Sequence, residues 1–423
     1  MSPDFDIVVI GGGPVGAATA ALLAAHGGVA PDRIALVAPE LGAGAASAAA
    51  TATAATSAPP DLRVAAISRA SERVLAHAGA WSRLPRARIC AYEGMRVWHE
   101  SVPADGPEVL VFSAAELGEP DLGHIVENRA LAAASLGAFA ARGGRLLGER
   151  LAGLRSDAQF ARLATGAGEI TARLVVGADG ARSLVRDFLG IPLRTHDYRQ
   201  SAIVATIATA KPHRSIAWQR FLGTGPLALL PLFNGGCSIV WSADQALATE
   251  LMALPADDFA RRLDAASDTV LGTTQLMSER QSLPLQRATA TRLVGERAAL
   301  VGDAAHVVHP LAGQGVNLGF LDVAALCEAL AAGVAEGEDP GAERVLVRYE
   351  QARYTHDTLM SWSMSAFNEL LARGGGPAGW LAARLLAIAG ASGIARRGFA
   401  RAAMGTAGEV PRLARTAPAE ATW

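Results

Sequence analysis

Two aspartates follow short apolar stretches and stand next to glycines, where a carboxylate can bind a ligand. Asp303 comes after Ala298–Val301, and Asp179 comes after Leu174–Gly177. Both stretches are typical of strands in a buried parallel sheet. In α/β proteins, ligands bind outside the carboxyl ends of such strands. The sequence therefore predicts two carboxylates at one ligand-binding edge, although Asp179 alone could equally cap a helix.

The loop that follows Asp303 is suited to a flat ligand. Gly313 and Gly315 have no Cβ atom, so the backbone can approach a ring closely. Beyond them a helix begins, near Leu318, and its first N–H groups carry partial positive charge. This arrangement favours a ring that becomes anionic. A plain connection between strand and helix would need fewer special residues.

The N-terminus carries a second ligand-binding pattern, GxGxxG. A strand at Phe5–Ile10 leads directly into it, a helix follows to about His26, and Ile34–Val37 is a second strand. In this βαβ context the pattern predicts a dinucleotide whose diphosphate lies at the helix start. The residues of the motif are Gly11, Gly13, Pro14 and Gly16.

One position departs from the dinucleotide pattern. An acidic residue normally ends the second strand and binds the ribose hydroxyls. Here Ala38 stands at that place and Glu40 follows two residues later. Either Glu40 reaches back to the ribose, or the adenosine is held by other groups.

The stretch HPLAGQGVNLG after Asp303, together with the other two motifs, resembles the FAD-dependent aromatic hydroxylases (group A flavoprotein monooxygenases). It is most similar to the branch that hydroxylates ubiquinone precursors. The resemblance implies an α/β fold with a Rossmann-like, p-hydroxybenzoate hydroxylase-like FAD-binding domain, an antiparallel-sheet substrate domain and C-terminal helices. In that family the aspartate corresponding to Asp303 binds the ribityl chain of FAD. The loop Pro310–Val316 would then lie along the isoalloxazine ring.

The resemblance also assigns residues elsewhere in the chain. Arg63 would approach the flavin and the diphosphate, unless it is simply a solvated arginine. Asn128 would contact the flavin or instead cap its helix, with Arg129 as the alternative contact. Asp179 would lie near the FAD. The complete predicted cofactor-binding set is Gly11, Gly13, Pro14, Gly16, Glu40, Arg63, Asn128, Arg129, Asp179, Asp303, Pro310, Gly313, Gly315, Val316 and Asn317.

A second, antiparallel β domain is predicted from alternating apolar residues between 201 and 241 and from a hairpin over 94–117. Its large side chains would line a substrate cavity or form ordinary core. These residues are Trp218, Phe221, Leu230 and Trp241. The predicted domains are an FAD-binding domain (1–93, 118–195 and 285–360), a substrate domain (94–117 and 196–284) and a C-terminal helical region (361–423).

Composition excludes several other classes of protein. The chain has 423 residues and a net charge of −2, which gives no electrostatic reason to expect nucleic acid. Three cysteines far apart fit a reducing compartment and show no metal-ligand spacing. We expect no apolar run of about 20 residues that could span a bilayer. An apolar stretch with arginines near the C-terminus predicts at most a peripheral membrane contact.

The predicted function is FAD-dependent hydroxylation of a polyprenylated phenol in ubiquinone biosynthesis, with NADH or NADPH and O2 as co-substrates. The resemblance implies that the flavin carries the oxygen as a C4a-hydroperoxide, so no catalytic side chain and no metal is predicted. Two alternatives stay open: a hydroxylase of another aromatic substrate, and a flavin-holding scaffold of a biosynthetic complex. The expected location is cytoplasmic, with a homodimer or a larger complex as the possible assembly.

Overall fold

The computed structural model describes residues 2–41, 59–308, 315–353, 404–405 and 410–415. Strands make up most of its regular structure. In chain order they are β1 Phe5–Ile10, β2 Ile34–Val37, β3 Val64–Ser68, β4 Cys90–Tyr92, β5 Gly94–His99, β6 Leu110–Ser113, β7 Gly123–Glu127, β8 Arg145–Leu147, β9 Leu151–Ser156, β10 Ala161–Thr165, β11 Gly168–Gly177, β12 Leu193–Thr209, β13 Ile216–Leu222, β14 Gly225–Pro231, β15 Cys237–Asp244, β16 Thr274–Leu276, β17 Gln281–Ala290, β18 Val294–Gly295, β19 Ala298–Leu300 and β20 His306–Val307.

The helices lie mainly on the faces of these sheets. They are α1 Pro14–His26, α2 Arg69–His77, α3 Ala114–Leu117, α4 Asn128–Ala141, α5 Leu184–Phe188, α6 Gln245–Ala253, α7 Ala256–Ala266, α8 Gly315–Ala335, α9 at 343–353 and α10 Arg412–Arg415.

The first sheet has a parallel centre. Its strands run in the order β19–β11–β1–β2–β8 through parallel pairs, with β9, β10 and β18 added in antiparallel fashion. The central strands are buried on both faces, which is why Ile7–Ile10 and Leu174–Val176 read as continuous apolar runs. Parallel pairing places the carboxyl ends of β1, β11 and β19 at one edge. The predicted α/β, Rossmann-like fold is therefore confirmed.

The second sheet is long and mainly antiparallel, in the order β20–β17–β12–β15–β14–β13–β5–β6. A small third sheet, β3–β7–β4, stands between the other two. The predicted hairpin at 94–117 is present as β5 and β6, and the predicted break between β13 and β14 falls at Gly223–Thr224. The exact division of the chain into domains stays a prediction.

Three predicted elements differ from the structure. The stretch from Gly123 to Leu131 predicts the start of a helix that runs to about Arg142, but Gly123–Glu127 is strand β7, because it pairs with β3 and β4, and the helix begins at Asn128. The stretch 251–271 predicts a single helix but forms two, since Leu254 is extended and Pro255 is the N-cap residue of the second. Helix α8 begins at Gly315 rather than near Leu318.

Helix α8 also corrects the expectation about membrane-spanning length. It has 21 residues with a mean hydropathy of 1.8, so length and composition alone would allow it to cross a bilayer. In the fold, 67% of its apolar window is buried inside the protein. It packs against α1, where Gly319 faces Val15. Burial on nearly every side explains why its sequence is apolar rather than amphipathic.

Some predicted features fall outside the described residues. These are the tract 42–58, the loop positions Pro310 and Gly313, and nearly all of the C-terminal region with its expected membrane contact. Of the three cysteines, Cys237 and Cys327 are buried as expected, whereas Cys90 is half-buried.

Candidate functional site

Three turns meet at the carboxyl edge of the parallel sheet. The N–H of Ala178 donates to the carbonyl of Ile10 over 2.9 Å, so the turn after β11 lies beside the turn after β1. The N–H of Val301 donates to Gly177 over 2.9 Å, which brings the turn after β19 to the same place. Segments almost 300 residues apart in the sequence (Ile10 and Val301) thus form one surface.

The glycines of the N-terminal motif have different roles in this surface. Gly11 has φ +116°, and a Cβ there would lie 2.4 Å from the carbonyl oxygen of Ala178. A Cβ on Gly16 would lie 2.0 Å from the carbonyl oxygen of Gly11. Both positions are therefore closed by protein. A Cβ on Gly13, in contrast, would meet no atom within 4 Å, which leaves open space at the start of α1.

The start of α1 is open to an anion. Gly13 precedes the helix and Pro14 begins it; no side chain caps its first N–H groups, and its first turn contains no acidic residue. Free N–H groups and the helix dipole together form a ready site for a diphosphate. Glu40 lies beside this turn, since a Cβ on Gly12 would come within 2.7 Å of Glu40 Oε1. This position is consistent with Glu40 reaching back from beyond Ala38.

Only one carboxylate oxygen of Asp179 accepts hydrogen bonds from the start of helix α5. Its Oδ2 accepts the N–H groups of Leu184 over 2.7 Å and Val185 over 3.3 Å, so it does help to cap α5. Its Oδ1 is buried and has no hydrogen-bond partner. Buried Arg186 connects this turn with the third one by donating to the carbonyl of Ala304 over 3.2 Å. The capping alternative therefore accounts for half of the carboxylate, and the other oxygen remains available to a ligand.

Asp303 lies in a concave part of the surface. Its side chain is exposed, yet the surrounding protein desolvates it and raises its pKa above the ordinary value, an effect that His306 and Arg63 partly oppose. Exposure combined with close surroundings describes a carboxylate inside a cleft. The positive charge of Arg63 is near enough to Asp303 to lower the pKa of its carboxyl group.

A buried network holds the Asp303 turn from behind. Asp322 Oδ2 accepts the Gly302 N–H over 3.0 Å and lies 2.6 Å from Nε2 of His306. Asp322 Oδ1 accepts from Nε of Arg353 over 2.9 Å. All three side chains are almost fully buried. His306 therefore helps to hold the loop in place, while Asp322 and Arg353 were missed because they lie outside the recognised motifs.

Asn128 lies next to Arg63 at the start of α4. Its N–H donates to the carbonyl of Arg63 over 3.0 Å, and its side-chain Oδ1 is buried without a partner. Glu127, not Asn128, occupies the cap position of the helix. Arg129 is instead exposed, with its side chain paired to Asp61 over 3.1 Å.

A second missed pair fixes the Arg63 segment. Both oxygens of Glu127 are 2.7 Å from nitrogens of Arg88, and Oε1 also accepts the N–H of Asp61 over 2.6 Å. Such a two-point contact is specific in geometry. No signal in the sequence linked Arg88 to Glu127, because 39 positions separate them.

Asn317 connects α8 with β3. Its Nδ2 donates to the carbonyl of Ala66 over 2.8 Å, and its Oδ1 accepts the N–H of Ser68 over 3.0 Å. Both side-chain atoms are thus bound to backbone. Gly315 and Val316 stand half-buried just before it, at the N-terminal end of the helix.

The predicted substrate residues lie on two different faces of the long sheet. Leu230 and Ala217 form one apolar cluster with Ala66 and Ile125 of the small third sheet, and we call this side of the sheet the inner face. Phe221 also points to the inner face, because strand alternation places it with Ala217.

Trp218 and Trp241 point the other way, to what we call the outer face. They pack in the cluster beneath α6 and α7, and the ring of Trp241 lies 6.0 Å from that of Phe259. Phe221 and Leu230 therefore lie on the inner face, toward the small third sheet, whereas the two tryptophans lie under helices on the outer face.

One group of side chains has ligand atoms close enough to hold a metal ion, and the sequence did not reveal it. Glu72, Asp121 and His124 lie within 4.8 Å of one another. Arg69 already lies among them, 2.7 Å from Glu72 and 3.5 Å from Asp121. The arginine charge offsets the two carboxylates, so the group is explained as an internal salt-bridge cluster.

These observations fit an extended dinucleotide with a flat ring. The open space at Gly13 and the uncapped start of α1 suit a diphosphate. The buried side-chain oxygens of Asp179 and Asn128 that have no partner in the protein can each accept a hydrogen bond from a ligand. Asp303 offers a carboxylate acceptor to hydroxyl groups. Fold and site together define a flavin-binding oxidoreductase.

Comparisons with known proteins agree. Residues 129–361 match the family model described as an FAD binding domain. The chain is 37% identical over 424 residues to ubiquinone hydroxylase UbiL of Rhodospirillum rubrum, covering 98% of this chain and 93% of that protein. It is 35% identical over 367 residues to 3-demethoxyubiquinol 3-hydroxylase of Escherichia coli, covering 86% and 88%. Among solved structures it resembles pqsL, a probable FAD-dependent monooxygenase from Pseudomonas aeruginosa, with a TM-score of 0.70, 22% identity and coverage of 90% and 99%.

The chain therefore belongs to the family of FAD-dependent aromatic hydroxylases, in the branch that contains the ubiquinone-biosynthesis hydroxylases. It is an FAD-dependent monooxygenase, as the motifs predicted, and its cofactor is FAD.

Proposed function

We propose that the protein hydroxylates the aromatic ring of a polyprenylated phenol in ubiquinone biosynthesis. The reaction consumes NAD(P)H, a proton and O2, and yields the hydroxylated ring, NAD(P)+ and water. FAD supplies the redox chemistry when bound: it takes the hydride and activates oxygen. The polypeptide binds and orients the two ring systems and excludes water.

The cofactor would lie along the three turns. Its diphosphate would accept N–H groups at the start of α1 beside Gly13, and Glu40 would reach the ribose of the adenosine. Asp303 would accept hydrogen bonds from the ribityl hydroxyls, and Arg63 would face the flavin or the diphosphate. Asn128 and Asp179 would each accept a donor with the oxygen that has no partner in the protein.

One observation carries this proposal: the turns that bear Asp179 and Asp303 meet at the carboxyl edge of the parallel sheet, and the inner face of the antiparallel sheet packs against the small third sheet, whose strand β3 follows Arg63. A polar cofactor cleft next to an apolar wall suits a ring with an apolar tail. Relatives named as ubiquinone hydroxylases, similar along nearly the whole chain, support the same substrate class.

We further propose that the protein is cytoplasmic and makes a peripheral contact with the membrane that holds the prenylated substrate. It would act as a homodimer or within a biosynthetic complex. The domain division given above, in which 94–117 and 196–284 form the substrate domain, is part of the same proposal.

The proposal is tested with purified, FAD-loaded protein. Anaerobic mixing with NADH or NADPH should reduce the flavin faster when a prenylated phenol is present than when it is absent. Under air, mass spectrometry should find the phenol with one added oxygen. Unprenylated phenols turned over equally well would favour another aromatic substrate. No substrate-stimulated reduction, even with partner proteins added, would favour a scaffold.

A further inference from the structure

On the inner face of the long sheet, the glutamine in the middle of β13 has apolar neighbours along its own strand and on both adjacent strands. Gln219 on β13 stands in register with Val97 of β5 and Ala228 of β14. The same face bears Ala217 and Phe221 on either side of it along the strand. Because side chains alternate along a strand, all of these point to the side on which Leu230 meets the small third sheet.

No hydrogen bond to the Oε1 atom of Gln219 explains a polar side chain at this buried position. The residue is 4% exposed, and its Oε1 is buried with no hydrogen-bond partner. A buried acceptor without a donor destabilises a fold, and most such groups in proteins have a partner. An apolar side chain of the same size would be more stable at this position, so we look for a donor outside the protein.

The phenolic substrate class supplies such a donor. A phenol places one O–H on an otherwise apolar ring, and Gln219 places an acceptor without a partner among the apolar side chains that surround it on β5, β13 and β14. Hydroxylation at one ring carbon also requires a fixed rotation of the ring, which apolar contacts alone leave free. A directional hydrogen bond to the ring hydroxyl would fix that rotation.

We propose that Gln219 accepts a hydrogen bond from the ring hydroxyl of the phenolic substrate and so orients the ring for hydroxylation. This inference rests on the proposed function and adds the polar contact that selects the ring position. Phe221 and Leu230 supply the apolar wall on either side.

The test compares Gln219→Leu with the wild type by using two ligands. The first is a phenol that bears a single five-carbon prenyl group, and the second is its O-methyl ether, which has no O–H to donate. Dissociation constants are measured from the change in flavin absorbance. The wild type should bind the phenol roughly 10-fold to 100-fold more tightly than the ether. Gln219→Leu should bind both about equally, with the loss confined to the phenol.

Two controls separate this role from a structural one. Trp98→Phe removes another buried polar atom without a partner, Trp98 Nε1, on the adjacent strand but on the outer face, where Trp98 contacts Trp218. It should leave the preference for the phenol unchanged. Gln219→Leu should keep the FAD affinity of the wild type and unfold at the same or a higher temperature, because it removes an unsatisfied acceptor. Gln219→Met serves as a second apolar variant if Leu disturbs the fold.

The outcomes are distinct. If the wild type binds neither ligand, the proposed function fails and the inference fails with it. If the wild type prefers the phenol and the Leu and Met variants keep that preference, the inference alone is overturned. If the preference is lost in the Gln219 variants and retained in Trp98→Phe, Gln219 is the orienting residue.

Discussion

His306 and Asp322 form a buried hydrogen-bonded pair behind the turn that carries Asp303, with 2.6 Å between Nε2 and Oδ2. Burial by itself would raise the pKa of Asp322, but His306, Arg353 and the Gly302 N–H outweigh it and lower the pKa to about 2. The carboxylate is therefore charged at all physiological pH values. It holds backbone and side chain of the turn in one geometry.

We expect Asp322→Asn to weaken both folding and FAD binding. The change removes the charge of Asp322 from its buried pairs with His306 and Arg353, and breaking a buried pair typically costs about 3–5 kcal/mol in the free energy of unfolding. Denaturant unfolding and FAD titration would measure the two effects. Asp187→Asn is the matched control, because Asp187 pairs with Arg186 at 3.4 Å but is 63% exposed, and a pair of that kind contributes roughly 0–1 kcal/mol.

The difference in unfolding free energy between the wild type and Asp322→Asn should also depend on pH, in a direction that the lowered pKa of Asp322 fixes. A carboxyl group whose folded pKa is lowered stabilises the protein above its unfolded pKa of about 3.9, and loses that effect as the pH falls toward the folded pKa. The folded value is about 2. The difference in unfolding free energy between wild type and Asp322→Asn should therefore be constant above pH about 5 and shrink below pH about 4. A difference that does not change with pH would contradict this account.

Gly13→Ala should distinguish an effect on FAD binding from an effect on the stability of the fold at the first turn. A Cβ at Gly13 meets no protein atom within 4 Å, so the change should alter stability without FAD by less than about 1 kcal/mol. If the diphosphate occupies that space, FAD affinity should fall by at least about 10-fold, or about 1.4 kcal/mol. Gly137→Ala in α4 is the control, since a Cβ there also has room and no cofactor lies near it in the proposed arrangement.

Gly16→Ala is a contrasting variant for the same test, because its Cβ atom would meet protein rather than open space. There the Cβ would lie 2.0 Å from the carbonyl oxygen of Gly11, so the turn must distort whether FAD is present or not. We expect loss of stability in both states. Equal FAD affinity in Gly13→Ala and wild type would mean that the diphosphate lies elsewhere.

The sequence predicted the elements with strong local signals. The βαβ unit at the N-terminus, the strands before Asp179 and Asp303, and the hairpin of β5 and β6 were all identifiable from apolar runs and glycines. Strand β7 was mistaken for the start of a helix because no glycine or proline separates it from α4. Only pairing with β3 and β4 decides that it is a strand.

The supporting network could not be found in the same way. Asp322 acts on Gly302 and His306, and Glu127 acts on Arg88, across 16 to 39 positions in the chain. Contacts between distant side chains leave no periodic pattern. Likewise Trp218 and Phe221 look alike in sequence as large apolar residues. Their spacing of three along β13 puts them on opposite faces of the sheet, and only the packing decides that the Trp218 face lies under α6 and α7.

The cluster of Glu72, Asp121 and His124 should not require a metal ion. Arg69 lies 2.7 Å from Glu72 and supplies the positive charge that a divalent ion would otherwise bring. Neither a chelator nor about 1 mM Zn2+ should shift the unfolding temperature of the FAD-loaded protein by more than about 1 °C, a change equivalent to about 1 kcal/mol for a chain of this length. A rise with Zn2+ that Glu72→Gln abolishes would instead show that the ion displaces Arg69.

Asp303 should make FAD affinity depend on pH in the acid range. Desolvation raises its pKa in the protein without cofactor, despite His306 and Arg63, so the uncharged form persists to a higher pH than in a free aspartate. Stability from this group is present below the unfolded pKa and is lost as the pH rises through the raised folded pKa. Ribityl hydroxyls that donate to the carboxylate favour its charged form and reverse this tendency.

FAD binding should therefore release a proton near that pKa, and affinity should rise with pH through the acid range and level off above it. Asp303→Asn should bind FAD roughly 10-fold to 100-fold more weakly at neutral pH, because a charge-assisted hydrogen bond becomes a neutral one. It should also lose the rise with pH, because it cannot titrate. Flavin fluorescence titrations between pH 4.5 and 7.5 measure both effects, and this range lies above the ordinary pKa of about 3.9 because desolvation raises the pKa of Asp303. If Asp303→Asn retained the pH dependence of the wild type, another group would control it, and Asp303 would not be the acceptor of the ribityl chain.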